Sequence, residues 1–389
     1  MDILYLAQVL PDICLSELAQ KNINYVVAPQ KFHRSLLAGF ISNGHRVKVI
    51  SQLPSELVYR ASVIEDGIEY CFCSRTRTLF AHIPGMANAV TQVAYTILNG
   101  EFTPQAILCD SLNVTLCLGA RQIRRRLRIP MVAIVTDIMG ISSYEGQTVK
   151  ERIAAWLSNR NLAKFDRYVF LTKQMNDRIN KKNRPFIVME GVCPAQDKYY
   201  NKDSQNTISK KVFYAGGRPS KDGVDLLIAA FKLIGGNYKL NIYGLTPDHE
   251  IGPDKDDSRI IYHGVVNNSE IVEGEYKSDL LVNPRPINEE YTKYSFPSKL
   301  MEYMNTGTAV VTTRLPGVPT EYYDYVYTFD EVSVDCYKET LERLLATDTS
   351  VLNAKGKSAQ EFVKKNKNNV VQTQRIIELI EQYSYGSKG

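Results

Sequence analysis

Along the chain, short runs of aliphatic and β-branched residues alternate with segments whose apolar positions recur every three or four residues. In the first half, "ILYLAQ", "HRVKVIS", "IEYCFC", "QAILCD", "MVAIVTD", "RYVFLT" and "FIVME" predict strands. Between the first two, "KFHRSLLAGFISNG" places Phe32, Leu36, Leu37, Phe40 and Ile41 on one helical face, and Gly44 supplies a stop. Residues 9 to 30 read as a long irregular loop after the first strand, and loops of that length tend to carry function. The alternation then breaks at "PAQDKYYNKDSQNTIS", which is polar and opens with proline. It resumes with "KKVFYAGG", the helix "VDLLIAAFKLIGG", "KLNIYG", "RIIYHG", "DLLVNP", the helix in "SFPSKLMEYMNTG", "TAVVTT" and "YVYTF", and ends in helices.

Strands alternating with helices imply parallel sheets covered on both faces. The expected fold is α/β, with two Rossmann-like doubly wound parallel-sheet domains facing across a cleft. The first spans residues 1–193, a linker 194–209, and the second 210–370. A C-terminal helix at about 371–389 is expected to pack back on the first domain. Ligands of such sheets bind at the carboxyl ends of strands, so the cleft is the expected site.

Length agrees with two domains, since one core seldom extends beyond about 250 to 300 residues and this chain has 389. Charge is uneven: residues 1 to 200 hold 24 Lys and Arg against 16 Asp and Glu, a net of +8, whereas the remainder hold 23 against 26, a net of −3. The first half is therefore expected to meet something anionic. Its densest cluster is "RQIRRRLRIP", with Arg121, Arg124, Arg125, Arg126 and Arg128 in one helix-length segment. Such a face can lie on an anionic membrane or grip a lipid-linked phosphate; equally, it can be a solvated helix end whose arginines favour the dipole. Nucleic acid is not an expected partner, because aromatics are not interleaved with the arginines.

The seven cysteines are odd in number and scattered through apolar runs, the pattern of reduced thiols in a cytoplasmic protein. Cys71 and Cys73 share a strand face, but only His82 lies near enough in sequence to join them on a metal. The start lacks a basic region before its apolar stretch, and no run reaches the ~18 apolar residues of a spanning helix. A chain that is cytoplasmic, or peripheral on the inner face of the plasma membrane, is expected.

Three stretches carry candidate chemistry. The strand "VFYAGG" followed by "RPSKDG" sets Gly216 and Gly217 at a strand end, with Arg218 and Lys221 before a helix. Glycines admit a phosphate to the backbone, and two cations can neutralise a diphosphate without a metal; the same turn also occurs merely to make a bend. In "SFPSKLMEYMNTGTAVVTT", a short apolar helix starts at or beside Pro297, and its early amides, from Ser298, Lys299 and Leu300, are expected to point at an anion. Glu302, one turn in, can accept two hydrogen bonds from a vicinal diol such as that of ribose, or pair with Lys299 on a wet face. Arg285 in "VNPRP" is a further diphosphate candidate, or a partner for Glu289 or Glu290. "DKDD", Asp254 to Asp257, follows a polar loop rather than an apolar strand, so a metal role is rejected, and the five histidines show neither metal-ligand nor triad spacing.

These residues carry a resemblance. "VFYAGGRPSKDGVDLLIAAF", "NIYG", "IIYHGVV", "SDLLVNPRP" and "SFPSKLMEYMNTGTAVVTTRLPGVP" resemble the nucleotide-sugar domain of the retaining glycosyltransferases of GT-B architecture, family 4, as found in bacterial capsule and exopolysaccharide synthesis. The first half is similar more loosely, through "FISNGHRVKVIS", "VAIVTD", "VFLTKQM" and "VMEGV". The resemblance implies a donor site of Gly216, Gly217, Arg218, Lys221, Arg285, Tyr294, Ser295, Phe296, Pro297 and Glu302, with Glu302 on the ribose hydroxyls and Arg218 and Lys221 on the diphosphate. Two departures stand out. Tyr294 occupies the position of the family's first motif glutamate, so Glu289 or Glu290 would have to supply that carboxylate. Thr136 replaces a common histidine, which leaves Asp137 as either a polar stabiliser of the reacting sugar or a cap on the next turn.

The implied activity is transfer of a sugar from a nucleotide diphosphate sugar to an acceptor hydroxyl on a lipid-linked or polysaccharide glycan, without cofactor or metal. Arg218, Lys221 and Asp137 are the expected catalytic residues; the acceptor side is expected to hold His33, Arg124 and Arg125. Two rivals differ in what they release: a catalytically silent binding partner turns over no donor, and a sugar-nucleotide epimerase acts without an acceptor.

Overall fold

The structure is a computed structural model; it describes residues 1–389 except 24, 26, 74–81, 99, 142–148, 196–208, 218–222, 247–256 and 383–389. Its contacts divide the chain into two units. The first gathers Met1–Val192 with the C-terminal segment from Asn368, and the second is Cys193–Lys367.

In the first unit the strands are β1 (Asp2–Leu6), β2 (Arg46–Gln52), β3 (Ser62–Glu65), β4 (Ile68–Cys73), β5 (Ala106–Asp110), β6 (Met131–Val135), β7 (Arg167–Phe170) and β8 (Phe186–Val188). They form one sheet in the order β3-β4-β2-β1-β5-β6-β7-β8, parallel throughout except for the β3–β4 pair. Each of β1, β5 and β6 is buried along its whole length. Continuous apolar runs of this kind follow from helices on both faces of a parallel sheet. The helices are α1 (Asp12–Gln20), α2 (Val27–Ser42), α3 (His82–Leu98), α4 (Val114–Leu127), α5 (Val149–Leu162) and α6 (Lys173–Ile179).

One sequence expectation fails here, and one strand was not expected. The stretch from 9 to 30 is not a plain loop, because α1 and the first turn of α2 occupy much of it. Cys14 and Leu18, four residues apart, bury one face of α1, and this short period is easily hidden in a polar segment. Strand β3 was also unforeseen. It pairs antiparallel with β4 through Asp66 and Gly67, both at positive φ (51° and 76°), which makes a two-residue hairpin turn.

The second unit holds β9 (Lys211–Ala215), β10 (Lys239–Tyr243), β11 (Ile260–Gly264), β12 (Leu280–Asn283), β13 (Ala309–Thr313) and β14 (Tyr327–Phe329) in the all-parallel order β11-β10-β9-β12-β13-β14. Around them lie α7 (Val224–Lys232), α8 (Asn268–Tyr276), α9 (Ser298–Thr306), α10 (Val334–Ala346) and α11 (Thr349–Asn366). The core contains Val212, Tyr214, Leu227, Phe231, Leu280 and Val311, all at most 1% exposed. Burying an aliphatic or aromatic side chain of this kind contributes about 1.5–3 kcal/mol.

The last helix, α12 (Asn369–Gln382), belongs to the first unit and packs on α2. Gly39 permits that approach: a Cβ there would lie 2.3 Å from the Asn369 carbonyl oxygen. Asn43 Nδ2 then donates to the Val370 carbonyl and to Thr373 Oγ1, both at 2.8 Å.

Candidate functional site

Strand order changes direction between β9 and β12 in the second unit, and the candidate donor residues collect at the carboxyl ends of these strands. β9 ends at Ala215, and the Gly216 amide donates to the Tyr243 carbonyl at 2.9 Å. Gly216 has no room for a side chain, since a Cβ would stand 2.1 Å from Tyr214 Oη and 2.9 Å from Lys299 Nζ. Gly217, by contrast, has open space beside it. Arg218 and Lys221 lie outside the described residues. The turn ends at Gly223, whose φ of 71° starts α7, and a Cβ there would meet the Pro284 carbonyl oxygen at 2.1 Å. Glycine is required at this N-terminus by both backbone and space.

Across from this turn, β12 leads into Pro284 and Arg285. Tyr337 Oη donates to the Pro284 carbonyl at 3.0 Å, and Asn283 Nδ2 donates to Thr312 Oγ1 at 2.9 Å, both within the interior. Arg285 is half-buried, with its guanidinium 5.2 Å from the centre of the Tyr291 ring. Next come a 3₁₀ turn, Glu290–Lys293, and Tyr294. Thr292 is fully buried and anchors this segment: its hydroxyl donates to the Glu289 carbonyl at 2.6 Å, and its own carbonyl accepts from the Gly317 amide at 3.1 Å. Tyr294 and Ser295 are half-buried, and the Ser295 hydroxyl is enclosed without a hydrogen-bond partner. Phe296 packs against Tyr322 with ring centroids 5.2 Å apart.

Pro297 is the N-cap of α9, not its first helical residue, and no side chain caps it. The expectation of three outward amides needs correction: the Leu300 amide donates to the Pro297 carbonyl at 2.9 Å, closing a tight first turn. The helix itself is stopped by Gly307 at a φ of 76°. Within α9, Leu300, Met301, Tyr303 and Met304 are buried, while Ser298 and Glu302, one turn apart, are exposed. Glu302 is thus set outward by the packing of its neighbours on both sides.

The sequence names Lys299 for its amide and as a possible partner of Glu302, not as a cation at the glycine turn. Its ammonium lies beside Gly216 and 5.5 Å from the centre of the Tyr214 ring. The signal that could have found it is its place in the first turn of α9, directly before the buried Leu300. A cation that reaches back to the glycine turn joins two segments far apart in sequence, and pattern alone does not reveal such a contact.

The acceptor-side expectations fare differently. His33 is 1% exposed; its Nδ1 is 2.7 Å from Tyr5 Oη and its Nε2 is 3.6 Å from Asp110 Oδ2. It packs in the interior of the first unit and links α2 to β1 and β5. Burial and the Asp110 carboxylate push the Tyr5 phenol well above its usual range, which keeps it neutral. Arg124 is also committed: its Nε and Nη2 hold both oxygens of Asp166 at 2.6 Å, while Asp166 Oδ2 accepts from the Met131 amide at 3.0 Å. Arg125 is exposed. Asp137 Oδ1 accepts from the amide of the next residue, Ile138, at 2.7 Å. Among the described residues no three metal-ligating side chains come together.

Residues 209–347 match the family model described as glycosyl transferases group 1. The chain carries a glycosyltransferase domain. Solved structures similar over the whole chain include sucrose-phosphate synthase (tll1590) from Thermosynechococcus elongatus, 14% identical with a TM-score of 0.68 and full coverage of both chains. Another is Anabaena Alr3699/HepE in complex with UDP and glucose, 14% identical with a TM-score of 0.58, again with both chains covered fully. A glycosyltransferase from Rickettsia africae ESF-5 is 12% identical with a TM-score of 0.65, covering 99% of each chain. At these identities the likeness establishes the fold, two Rossmann-like parallel-sheet domains of the GT-B kind. No curated protein matches the chain.

Proposed function

We infer that the protein is a retaining glycosyltransferase that moves a sugar from a nucleotide diphosphate sugar to an acceptor hydroxyl. The observation that carries this reading is Glu302, an outward acid that shares the exposed side of α9 with Ser298, while Leu300, Met301, Tyr303 and Met304 are buried around it and no side chain caps the helix start. Its two oxygens suit the adjacent hydroxyls of a ribose. Lys299 at Gly216, the first amides of α9, and Arg218 and Lys221 from the glycine turn would neutralise the diphosphate without a metal. Stabilising charge as it builds on the departing diphosphate is the largest contribution such a site can make. The departing phosphate oxygen then takes the acceptor's proton, so no separate base is required.

Neighbouring structures support a nucleotide-sugar donor: one is in complex with UDP and glucose, another is bound to ADP and acarbose, and a third is bound with UDP-2-fluoro glucose. The net charge of the first half supports an anionic acceptor, such as a lipid-linked glycan of cell-surface polysaccharide synthesis, met on the cytoplasmic face of the membrane.

Thermal shifts with a panel of nucleoside diphosphates and their sugars test the donor site, comparing native protein with Glu302→Ala. One nucleotide is expected to stabilise the native chain and to lose that effect in the variant. If no nucleotide stabilises the native chain, the donor reading is lost. Release of nucleoside diphosphate only when acceptor is present separates transfer from an epimerase or a silent partner.

A further inference from the structure

The first unit exposes an apolar stripe that the donor chemistry does not use. On α5, Val149 is 72% exposed, Ile153 54% and Trp156 57%. Their spacing of four and three residues, at about 100° per residue, sets them on one face of the helix. Arg160 continues that face, with its guanidinium 5.2 Å from the centre of the Trp156 ring, and Arg152 flanks it. Ala155, Ser158 and Leu162 lie on the opposite face and are buried, so the stripe is not a misplaced core.

Beside the stripe, between α4 and α5, lies a cavity of about 330 Å³ lined by three cations, Arg121, Arg160 and Lys164, and by Asn161. Arg121 Nη1 donates to Asn161 Oδ1 at 3.1 Å, which fixes its guanidinium at the rim. Burial and the charges of Arg125 and Arg160 lower its pKa from the usual value, the mark of crowded cations. Within the two helices the sequence places seven Lys and Arg against one acid, Glu151.

A half-exposed tryptophan under an arginine, on a stripe bordered by cations, combines the two attractions of an anionic bilayer. Apolar side chains enter the acyl boundary, and the cations meet headgroup phosphates. An apolar patch of this kind also suits a protein partner; the bilayer is favoured because a single anionic surface answers both the bare Val149, Ile153 and Trp156 and the cations that border them. We propose that the α4–α5 face docks the protein on an anionic lipid bilayer, with Trp156 and Ile153 inserted and a lipid phosphate in the cavity at Arg121, Arg160 and Lys164. The proposal deepens the reading of a lipid-linked acceptor, because docking confines the chain to the surface that presents such a substrate.

Trp156 is the sole tryptophan of the chain, so its emission reports on this face directly. With the full chain, vesicles of phosphatidylglycerol and phosphatidylcholine should shift that emission to the blue and protect it from acrylamide. Pure phosphatidylcholine should do neither, and high salt should reverse the effect. In vesicle sedimentation, Arg152→Gln with Arg160→Gln should weaken partition roughly thirtyfold, from the usual contribution of a surface cation. Unchanged emission with anionic vesicles, or a double variant that sediments as the native chain does, overturns the proposal. So does a native chain that shields Trp156 by self-association in solution, which would assign the face to a second copy. Stabilisation by nucleotide is measured on the same samples: if it persists while vesicles fail, only the docking surface falls, and if vesicles bind while every nucleotide fails, the transferase reading falls instead.

Discussion

Tyr303 Oη accepts a hydrogen bond from the backbone amide of Ala215 at 3.2 Å, in the interior of the second unit. Through it, the helix that presents Glu302 is tied to the strand end that opens the glycine turn. Both partners are inaccessible, with Tyr303 fully buried and packed edge-on against Phe213. Tyr303→Phe keeps the ring and removes the acceptor, leaving a buried N–H unsatisfied. The expected cost is about 1–3 kcal/mol in urea unfolding, with weaker nucleotide binding as the two segments loosen. An unaltered unfolding midpoint would show that water or another group replaces the phenol.

Lys299→Ala tests the cation whose place beside the glycine turn sequence pattern does not reveal. The side chain is half-exposed, so stability should change by no more than about 0.5 kcal/mol, whereas affinity for a nucleoside diphosphate should fall about tenfold, as expected for a charge-assisted contact of about 1.5 kcal/mol. Titration by calorimetry reads both the constant and the stoichiometry. A variant that binds like the native chain would place Lys299 outside the donor contacts.

Much of the fold was legible because burial on both faces of a parallel sheet writes itself as continuous apolar runs. The run at 68–73 is a strand from Ile68 to Cys73, and β5, β6, β9 and β13 fall within one or two residues of their predicted ends. What escaped was set by short-range geometry or long-range contact. α1 hides because only Cys14 and Leu18 are buried on it. β3 hides because its four residues are half-buried or exposed, although Asp66 and Gly67 were the available sign. At the site, Glu302 was legible from the apolar residues around it. The commitments of His33 to Tyr5 and of Arg124 to Asp166 were not, since each partner comes from a distant part of the chain.

Gly223→Ala should be among the most damaging single-methyl changes in the second unit. An alanine would have to hold a φ of 71°, at roughly 1–2 kcal/mol, while its Cβ met the Pro284 carbonyl at 2.1 Å. Pro284 cannot easily yield, because Tyr337 binds the same carbonyl oxygen. A loss of at least about 2 kcal/mol is expected in chemical unfolding, together with lost nucleotide binding. Gly217→Ala, at a position with open space, provides the comparison and should retain native stability.

His33→Leu should destabilise the first unit while sparing the donor site. The change leaves Tyr5 Oη and Asp110 facing an apolar side chain, and each buried orphan costs about 1–3 kcal/mol. Stabilisation by nucleotide should persist at temperatures where the variant is folded, since the donor residues belong to the second unit. If instead the variant keeps native stability and loses transfer to acceptor, His33 acts in the reaction and its reading as a packing residue fails.

The seven cysteines are all free thiols, six of them buried and Cys336 half-buried. Burial pushes the Cys71 thiol up to about 12 and the Cys73 thiol up to about 11, from an ordinary value of 9.0. Their thiolates, the reactive forms, are therefore scarce at pH 8. A thiol reagent at that pH should label Cys336 rapidly and the other six only after denaturant is added. The sign of the stability effect follows from the same shifts. The unfolded chain ionises these thiols near 9 and the folded chain only near 11 to 12, so the thiols' contribution is complete below the lower value and is lost as pH climbs through the upper ones. Unfolding midpoints should hold from pH 8 to about 9 and fall from there to about 11. Replacing Cys71 and Cys73 with alanine lowers the starting stability through lost packing but flattens that fall, and a slope equal to that of the native chain would show that other groups set the alkaline limit.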